Sequence, residues 1–395
     1  MIEAWLDENW DAGITVAQWW TRLADAQLSH PMLPEPWGRG WSSEQAGALA
    51  EAMIERGALG PPTGLGLVLA APTLLMHAAP ALVDSLVPSI VNGQHGWCQL
   101  FSEPGAGSDL AGLATRAERD GDEWVITGQK VWTSLGQWAD YGMLLARTDP
   151  DLPKHQGITY FALPMRQDGV EVRPLREMTG RTMFNEVFLS EARVPADHVV
   201  GDIGGGWAVA NTTLMVERGS AGGGFVAAPS AAVPGTIAGH LEMAAGAFAD
   251  QVGATREGVV DKHEFDELID LARRRGVNAD PQLRQDIARL YSLVTIADWQ
   301  MRAMQVGIAP GAGNIAKLRN SEIVRQARDV GCRILGADAM LGEGMVHDLT
   351  LMSPAPSIYG GSDQVQRNII GERVLGLPKE PGPPKETPFR ALLRN

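Results

Sequence analysis

Residues 98–210 form a succession of short β-rich runs separated by turn residues, and this stretch limits the possible fold most strongly. The runs read EWVITGQKVW, YGMLLART, GITYFALPM, GVEVRPL and NEVFLSEARV. No helical pattern stands between them, which is typical of a compact antiparallel sheet or barrel. The stretch therefore predicts an antiparallel β-domain.

Helical patterns flank this stretch on both sides. Before it, Ser42 and Gln45 form a capping-box pattern, and Gly57 stands where a helix ends. After it, Asp280 followed by Pro281 predicts a helix start. Apolar residues then recur at helical spacing: Leu283, Ile287, Leu290, Val294, Ala297, Met301 and Met304.

This order of patterns predicts an α+β fold with three domains. We expect an N-terminal helical domain over residues 1–97, a middle antiparallel β-domain over residues 98–210 and a C-terminal helical bundle over residues 211–395. The final stretch LPKEPGPPKETPFRALLRN is rich in proline, which predicts an irregular surface segment.

The composition excludes several classes of partner. A formal net charge of −14 disfavours nucleic acid and anionic membranes, since both require a basic surface. Cys98 and Cys332 are far apart and lack CxxC spacing, so neither a disulfide framework nor a zinc site is indicated. The opening MIEAWLDENWDAG is acidic where a signal peptide would be basic. We therefore expect a cytoplasmic protein.

Residues 57–83 contain no Asp, Glu, Lys or Arg and are numerous enough to span a bilayer. Five residues interrupt any single regular helix there: Pro61, Pro62, Pro72, Pro80 and His77. A buried helical layer is therefore favoured over a membrane span.

Common catalytic signatures are missing from the sequence, among them GxGxxG after a strand, GxxxxGK[ST], GxSxG and HExxH. Two other motifs are present. FSEPGAGSD is a glycine-rich loop suited to a polar ring edge or a phosphate. VWTSLG adds a Trp face and hydroxyls. The residues alone fit either a site for a flat heteroaromatic cofactor or a turn beside a structural Trp.

The sequence in this region resembles the acyl-CoA dehydrogenase family. SEPGAGSDLAGLATRAERDGDEWVITGQKVWTSLG is similar to the family's flavin-contacting block, and REMTGRTMFNEVFLSEARVPADHVVG to the block that closes its β-domain. Weaker similarity continues through GGGWAVANTTLMVERGS, AKLRNSE and SIYGGSDQVQR. The resemblance implies that family's fold, with a C-terminal four-helix bundle and with FAD lying between the β-domain and the bundle.

The resemblance also implies which residues contact FAD. Those along the isoalloxazine would be Leu100, Phe101, Ser102, Trp132, Thr133 and Ser134. The resemblance adds Gly107 and Ser108 from the glycine-rich loop, and Ser108 would also lie near the acyl-CoA. Ser362 and Gln364 would lie near the nucleotide part of FAD.

The implied reaction removes hydrogens from the α and β carbons of an acyl-CoA thioester, with a carboxylate as base. In many family members that base is a Glu after the tyrosine of IYxG, where this chain has Gly360, which keeps only its backbone N–H for the thioester oxygen. A minority place the base before an arginine on another helix, which matches Glu217 and Arg218. We expect Glu217 to be the base, with its pKa raised by desolvation, and Arg218 to contact the substrate. An isolated Glu on a helix is otherwise a surface residue.

Three segments depart from the family pattern. LARRRGVNADPQLRQ replaces the RxxFG segment that reaches FAD phosphates across a dimer interface, leaving Arg273, Arg274 and Arg275 as alternatives. RILGADA replaces QxxGGxG, and GSAGGGFVAAPSAAVPG interrupts the helix after Glu217. The last change, with Gly360, predicts a pocket widened for a bulky, branched or long acyl group.

Three functional alternatives follow. The first is a dehydrogenase, a homodimer or homotetramer, that passes electrons to an electron-transfer flavoprotein. The second is a subunit of a mixed oligomer with a related chain, with impaired or no activity alone. The third is a flavoprotein oxidase on the same scaffold.

Overall fold

A computed structural model describes residues 2–222, 234–252, 262–305 and 311–392. Helices come first, strands follow, and helices return, so the predicted α+β order is confirmed. The N-terminal helices are α1 (Ile2–Asn9), α2 (Val16–Asp25), α3 (Ser43–Glu55), α4 (Ala71–His77) and α5 (Pro80–Val91), and a π-helical turn (Gly66–Ala70) precedes α4.

The predicted start of α3 is confirmed in detail. The Ser42 hydroxyl accepts a hydrogen bond from the backbone N–H of Gln45 at 3.3 Å, and the Gln45 side chain accepts one from the N–H of Ser42 at 3.0 Å. These two bonds satisfy donors that the first turn of a helix leaves unpaired. Gly57 follows the helix with a φ of +60°, the left-handed conformation expected of a glycine there.

The uncharged stretch 57–83 packs as a buried layer of short helices. Leu67, Leu69 and Ala71 are almost completely buried. At its start, the indole N–H groups of Trp19 and Trp20 donate to the carbonyls of Leu59 and Gly60, at 2.6 and 3.0 Å. Among the described residues, no helix is long and apolar enough to cross a membrane.

The middle region is one eight-stranded sheet. Its strands are β1 (Trp97–Leu100), β2 (Arg116–Asp120), β3 (Glu123–Ser134), β4 (Tyr141–Arg147), β5 (Ile158–Pro164), β6 (Val170–Leu175), β7 (Phe184–Pro195) and β8 (Val199–Val200). Their order is β6-β7-β3-β2-β4-β5-β8, and β1 also pairs with β4.

The sheet is mixed, which corrects the prediction of a purely antiparallel domain. Most neighbours are antiparallel, but β1 pairs with β4 in parallel, with Trp97 opposite Tyr141, and β2 meets β4 in parallel at Arg116 and Arg147. The β2–β3 hairpin lies between β1 and β4 in the chain. This long excursion allows β4 to return in the same direction as β1, which a tight turn cannot do.

The C-terminal region is helical, as predicted. Its helices are α6 (Gly206–Gly222), α7 (Ala245–Val252), α8 (Lys262–Arg274), α9 (Pro281–Gln305), α10 (Ala312–Leu335), α11 (Met345–Met352) and α12 (Asp363–Ile369). Helix α10 is the centre of the region, since it packs against α6, α8, α9, α11 and α12.

The start of α9 follows the predicted signal. The Asp280 carboxylate accepts a hydrogen bond from the N–H of Leu283 at 2.7 Å, and Pro281 is the first helical residue. Leu283 and Leu290 are buried against α8 and α10 in one apolar cluster, whereas Met301 is only half-buried. The predicted apolar face of α9 therefore covers the core along the first part of the helix.

Candidate flavin and acyl-CoA site

Trp132 is an exposed aromatic platform near the end of β3. Its φ is +60°, and 62% of its surface is accessible, although Val131 and Thr133 on either side are buried. The pairing of β3 with β7 shifts register at this point. A left-handed φ costs a non-glycine residue about 1–2 kcal/mol, and such strain clusters at functional sites. An exposed ring held this way fits the flat face of an isoalloxazine.

Two serines lie beside this platform. The N–H of Val131 donates to the carbonyl of Ser102 at 2.9 Å, which places the segment after β1 against the end of β3. Ser102 and Ser134 are both half-buried. Within the described part of the chain, neither hydroxyl makes a side-chain hydrogen bond. Both hydroxyls are therefore available to the polar edge of a bound ring.

A buried ion pair fixes the segment that carries Ser102. The Lys130 ammonium lies 2.9 Å from Glu103 Oε1 and donates to the carbonyl of Phe101 at 3.1 Å. Glu103 in turn accepts from the backbone N–H groups of Ala114 and Thr115, at 2.7 and 2.9 Å. Lys130 is wholly buried, and Glu103 is 9% exposed. No local sequence pattern indicates this pair, because its two members lie 27 residues apart in the chain.

The pKa values of the pair reflect burial and mutual attraction. Burial lowers the pKa of Lys130 below its ordinary value despite the adjacent carboxylate. Burial works to raise the pKa of Glu103, but Lys130 and the hydrogen bonds from Thr115 and Ala114 outweigh it and hold that pKa low. The two groups lie within ion-pair distance of each other in the core, so each depends on the other for compensation.

Leu100 and Phe101 belong to the predicted cofactor segment, but their side chains are buried in the core. The Leu100 side chain is buried in the sheet core, and the Phe101 ring packs edge-on against Tyr160 in the core beneath the N-terminal helices. Thr133 is also fully buried, and its hydroxyl has no hydrogen-bond partner among the described residues. Any contact of Leu100 and Phe101 with a flavin would therefore use peptide groups.

Gly107 and Ser108 lie in an exposed loop that begins at the ion pair. Glu103 and Ala106 exchange two backbone hydrogen bonds of 3.0 Å, which closes a tight turn. Gly107 and Ser108 follow this turn and face solvent. The loop is thus open to a ligand on one side and anchored on the other.

Glu217 lies on a helix whose orientation is fixed by buried polar contacts. One turn earlier on α6, the Thr213 hydroxyl lies 3.0 Å from that of Thr73 on α4 and 3.4 Å from that of Tyr160 on β5. Residues four apart share a helix face, so Glu217 continues the face that meets α4 and the sheet. Its side chain is half-buried. The Arg218 side chain and residues 223–233 lie outside the described part of the chain.

Gly360 forms the bend of the loop before α12. Gly360 and Gly361 have φ values of +60° and +81°, which favour glycine. The Gly360 carbonyl accepts a hydrogen bond from the Gln366 side chain at 2.7 Å. No atom lies within 4 Å of the point where a Cβ on Gly360 would stand, so the loop leaves open space there.

Ser362 and Gln364 differ in their surroundings. The Ser362 hydroxyl accepts from the N–H of Val365 at 3.3 Å and so caps α12, whereas Gln364 is exposed. Between them, the buried Asp363 pairs with Lys317 and Arg325 of α10, at 3.1 and 3.0 Å. Because α10 also packs against α6, the glycine loop and the helix of Glu217 share one support.

Two of the three arginines considered for FAD phosphates, Arg274 and Arg275, line a cavity of about 650 Å³ between α8 and the residues before α11. Arg273 pairs with Asp270 at 2.9 Å, and Arg275 pairs with Asp338 at 2.7 Å. Asp338 belongs to the altered RILGADA segment. Two of the three cations therefore already have carboxylate partners.

Comparisons with known proteins show which family the chain is similar to. The family descriptions "Acyl-CoA dehydrogenase, middle domain" and "Acyl-CoA dehydrogenase, C-terminal domain" match residues 98–191 and 238–375. Acyl-CoA dehydrogenase IpdE1 of Mycobacterium tuberculosis is 36% identical, over 92% of this chain and 88% of its own. FadE34, an acyl-CoA dehydrogenase of the same organism, is 38% identical over 90% of this chain but only 46% of its own.

A solved structure extends the similarity to three dimensions. The steroid acyl-CoA dehydrogenase described as Tcur3481-Tcur3483 superimposes with a TM-score of 0.70 at 25% identity, over 96% of each chain. The predicted enzyme class, the flavin chemistry and the fold are thereby confirmed. The chain belongs to the acyl-CoA dehydrogenase family of FAD-dependent oxidoreductases.

Proposed function

We propose that this chain dehydrogenates a bulky, branched or long acyl-CoA between its α and β carbons, with Glu217 as the base. The observation that carries the proposal is the bare, open bend at Gly360. A base is missing from that loop, and a half-buried carboxylate stands on the helix where a minority of the family place it.

Glu217 accepts the α proton of the substrate in this proposal. An α C–H next to a thioester is a weak acid, so a carboxylate removes its proton only when the developing enolate is stabilised. The backbone N–H of Gly360 supplies that stabilisation at the thioester oxygen. FAD held by the residues named below would supply the acceptor for the hydride that leaves the β carbon.

The remaining residues orient the reactants. Trp132, whose ring is exposed, would hold the face of the isoalloxazine, and the hydroxyls of Ser102 and Ser134 would bind its polar edge. Thr133, Gly107 and the loop of Ser362 and Gln364 complete the FAD contacts in this proposal. Ser108, exposed beyond the anchored turn, meets the acyl-CoA.

We predict a preference for ring-bearing acyl-CoA substrates. Gly360 leaves space that a Glu side chain would fill. A straight acyl chain fills such a widened pocket only partially, so it gains less binding energy there than a ring does. We expect kcat/KM for a cyclic or steroid-derived acyl-CoA to exceed that for a short straight-chain acyl-CoA by at least about tenfold. Steady-state assays with an artificial electron acceptor measure this ratio. A short straight chain as the best substrate would contradict the prediction.

The electron acceptor and location form part of the same proposal. We take an electron-transfer flavoprotein as the acceptor of the reduced flavin's electrons. If instead the reduced protein reacts rapidly with oxygen and forms peroxide, the chain is an oxidase.

Cys98 and Cys332 are both free thiols, which supports a reducing cytoplasm as the location of the protein.

A mixed oligomer with a related chain is the second candidate, beside a homodimer or homotetramer. Arg273 and Arg275 are already paired with carboxylates. Glu267 and Glu343 add negative charge to the cavity beside α8, which disfavours a phosphate there. The match covers only 46% of FadE34, so that protein is long enough to hold a second such unit. The steroid dehydrogenase carries two names, Tcur3481 and Tcur3483. Both relatives are consistent with paired chains.

The FAD content of the chain purified alone separates these candidates. A homo-oligomer whose sites are complete should retain about one FAD per chain. A chain that needs a related partner should lose FAD when purified alone and regain it when the two are produced together. Visible flavin absorbance against protein concentration gives the ratio.

A further inference from the structure

The proline-rich stretch after α12 docks back onto the β-domain. Residues 378–386 are exposed, as expected for an irregular surface segment, but Phe389 is only 5% exposed. The N–H of Phe389 donates to the carbonyl of Leu152 at 2.9 Å, and that of Arg390 donates to the carbonyl of Pro150 at 3.1 Å. The expectation of a purely irregular surface segment is therefore wrong for this part of the stretch.

Phe389 covers a buried arginine that ties several backbone segments together. The Arg147 guanidinium lies 3.5 Å from the centre of the Phe389 ring and is 4% exposed as a residue. It donates to the carbonyls of Ala111 at 2.7 Å, Leu113 at 3.2 Å and Lys154 at 3.1 Å. An aromatic face attracts a cation and keeps water away from it, which strengthens those hydrogen bonds.

The same group of residues restrains the neighbour of Ser108. The Lys154 ammonium lies 2.7 and 2.8 Å from the two carboxylate oxygens of Asp109, the residue after Ser108. Lys154 is itself held through its carbonyl by Arg147. The loop 105–113 is thus fixed at Asp109, Ala111 and Leu113, while Ser108 stays exposed.

We infer that Phe389 is a positioning residue for the loop 105–113 and thereby sets the affinity of the chain for the CoA part of its substrate. The inference rests on the proposed function, since that function brings Ser108 to the acyl-CoA. Phe389 acts through Arg147 and Lys154, without touching the substrate.

Replacing Phe389 with Ala tests this inference in the FAD-loaded protein. We expect the Kd for CoA and the KM for an acyl-CoA to rise by about tenfold, with kcat changed by less than about twofold, because loop order affects binding more than chemistry. Amide hydrogen exchange should become faster in residues 105–113. Phe389→Tyr, which keeps the ring, should restore the CoA affinity.

Arg390→Ala is the matched control. Its exposed ion pair with Asp151 contributes little, so CoA affinity and exchange in the loop should match the wild type. Unchanged exchange and unchanged CoA affinity in a folded Phe389→Ala protein would overturn the inference. If that variant does not fold, Phe389→Leu, which keeps apolar volume but loses the ring, should show the same changes, and its failure to do so would also overturn it.

The hydrogen-exchange readout distinguishes a failure of the inference about Phe389 from a failure of the proposed function. Faster exchange in the loop of Phe389→Ala, together with a wild type that binds neither CoA nor acyl-CoA, would confirm the loop contact and overturn the proposed function. A wild type that binds CoA, with a variant that binds it equally well, would leave the proposed function intact and overturn the inference.

Discussion

Glu217→Gln is expected to slow reduction of the bound flavin by an acyl-CoA by about 10²- to 10⁴-fold, since a positioned acid–base group contributes roughly that factor. Gln has nearly the same shape as Glu, but its amide cannot accept the α proton. The fold of α6 is set by the buried Thr213 contacts one turn away, so FAD content should not change. Rapid anaerobic mixing and the loss of visible flavin absorbance give the rate.

A second carboxylate on a neighbouring helix provides the control for this experiment. Glu322 on α10 is half-buried like Glu217 and pairs with Arg319 at 3.2 Å, which is a contact of little energetic weight. Glu322→Gln should therefore reduce its flavin at the wild-type rate. If Glu217→Gln also did so with a good substrate, the assignment of the base would be wrong.

Lys130→Met is expected to lower the free energy of unfolding by about 3–5 kcal/mol, since removing one partner of a buried ion pair strands the other charge. Glu103 would remain in an apolar environment without its cation, and the segment carrying Ser102 would lose its bond at the Phe101 carbonyl. FAD affinity should fall as well. Urea unfolding and the FAD content after purification measure the two effects.

The pH dependence of this loss identifies its cause. Without Lys130, burial raises the folded-state pKa of Glu103 above its unfolded value of about 4.3. The folded state then holds a proton that the unfolded state releases, so the deficit grows as pH rises above that value and shrinks in mild acid.

Glu103→Gln added to Lys130→Met should recover part of the lost stability, since it removes the stranded charge. A single Lys130→Met variant as stable as the wild type at neutral pH would contradict this account of the pair.

Local signals in the sequence predicted the parts of the fold that depend on neighbouring residues. Ser42 with Gln45 and Asp280 with Pro281 each fix a helix start within one turn, and both starts are confirmed. The choice of strand partners is not local. The parallel pairing of Trp97 with Tyr141 depends on where the β2–β3 hairpin places β4, and no short pattern contains that information.

In the candidate site, too, local features were indicated by the sequence and long-range contacts were not. The exposed Trp132 and the glycine bend at Gly360 lie within quoted motifs, so the sequence indicated them directly. The ion pair of Glu103 with Lys130 and the contact of Phe389 with Arg147 join residues far apart in the chain. Composition predicts that charged side chains lie at the surface and that proline-rich stretches are irregular. These two contacts are therefore visible only in the structure.

Anaerobic mixing of the FAD-loaded protein with a ring-bearing acyl-CoA is the most direct test of the central claim, that this chain removes the α and β hydrogens of such a substrate. We predict that the visible flavin absorbance falls as a matching amount of the 2-enoyl-CoA forms, identified by mass spectrometry. A flavin that stays oxidised with every branched, cyclic and long acyl-CoA, although FAD and CoA are both bound, would contradict the claim.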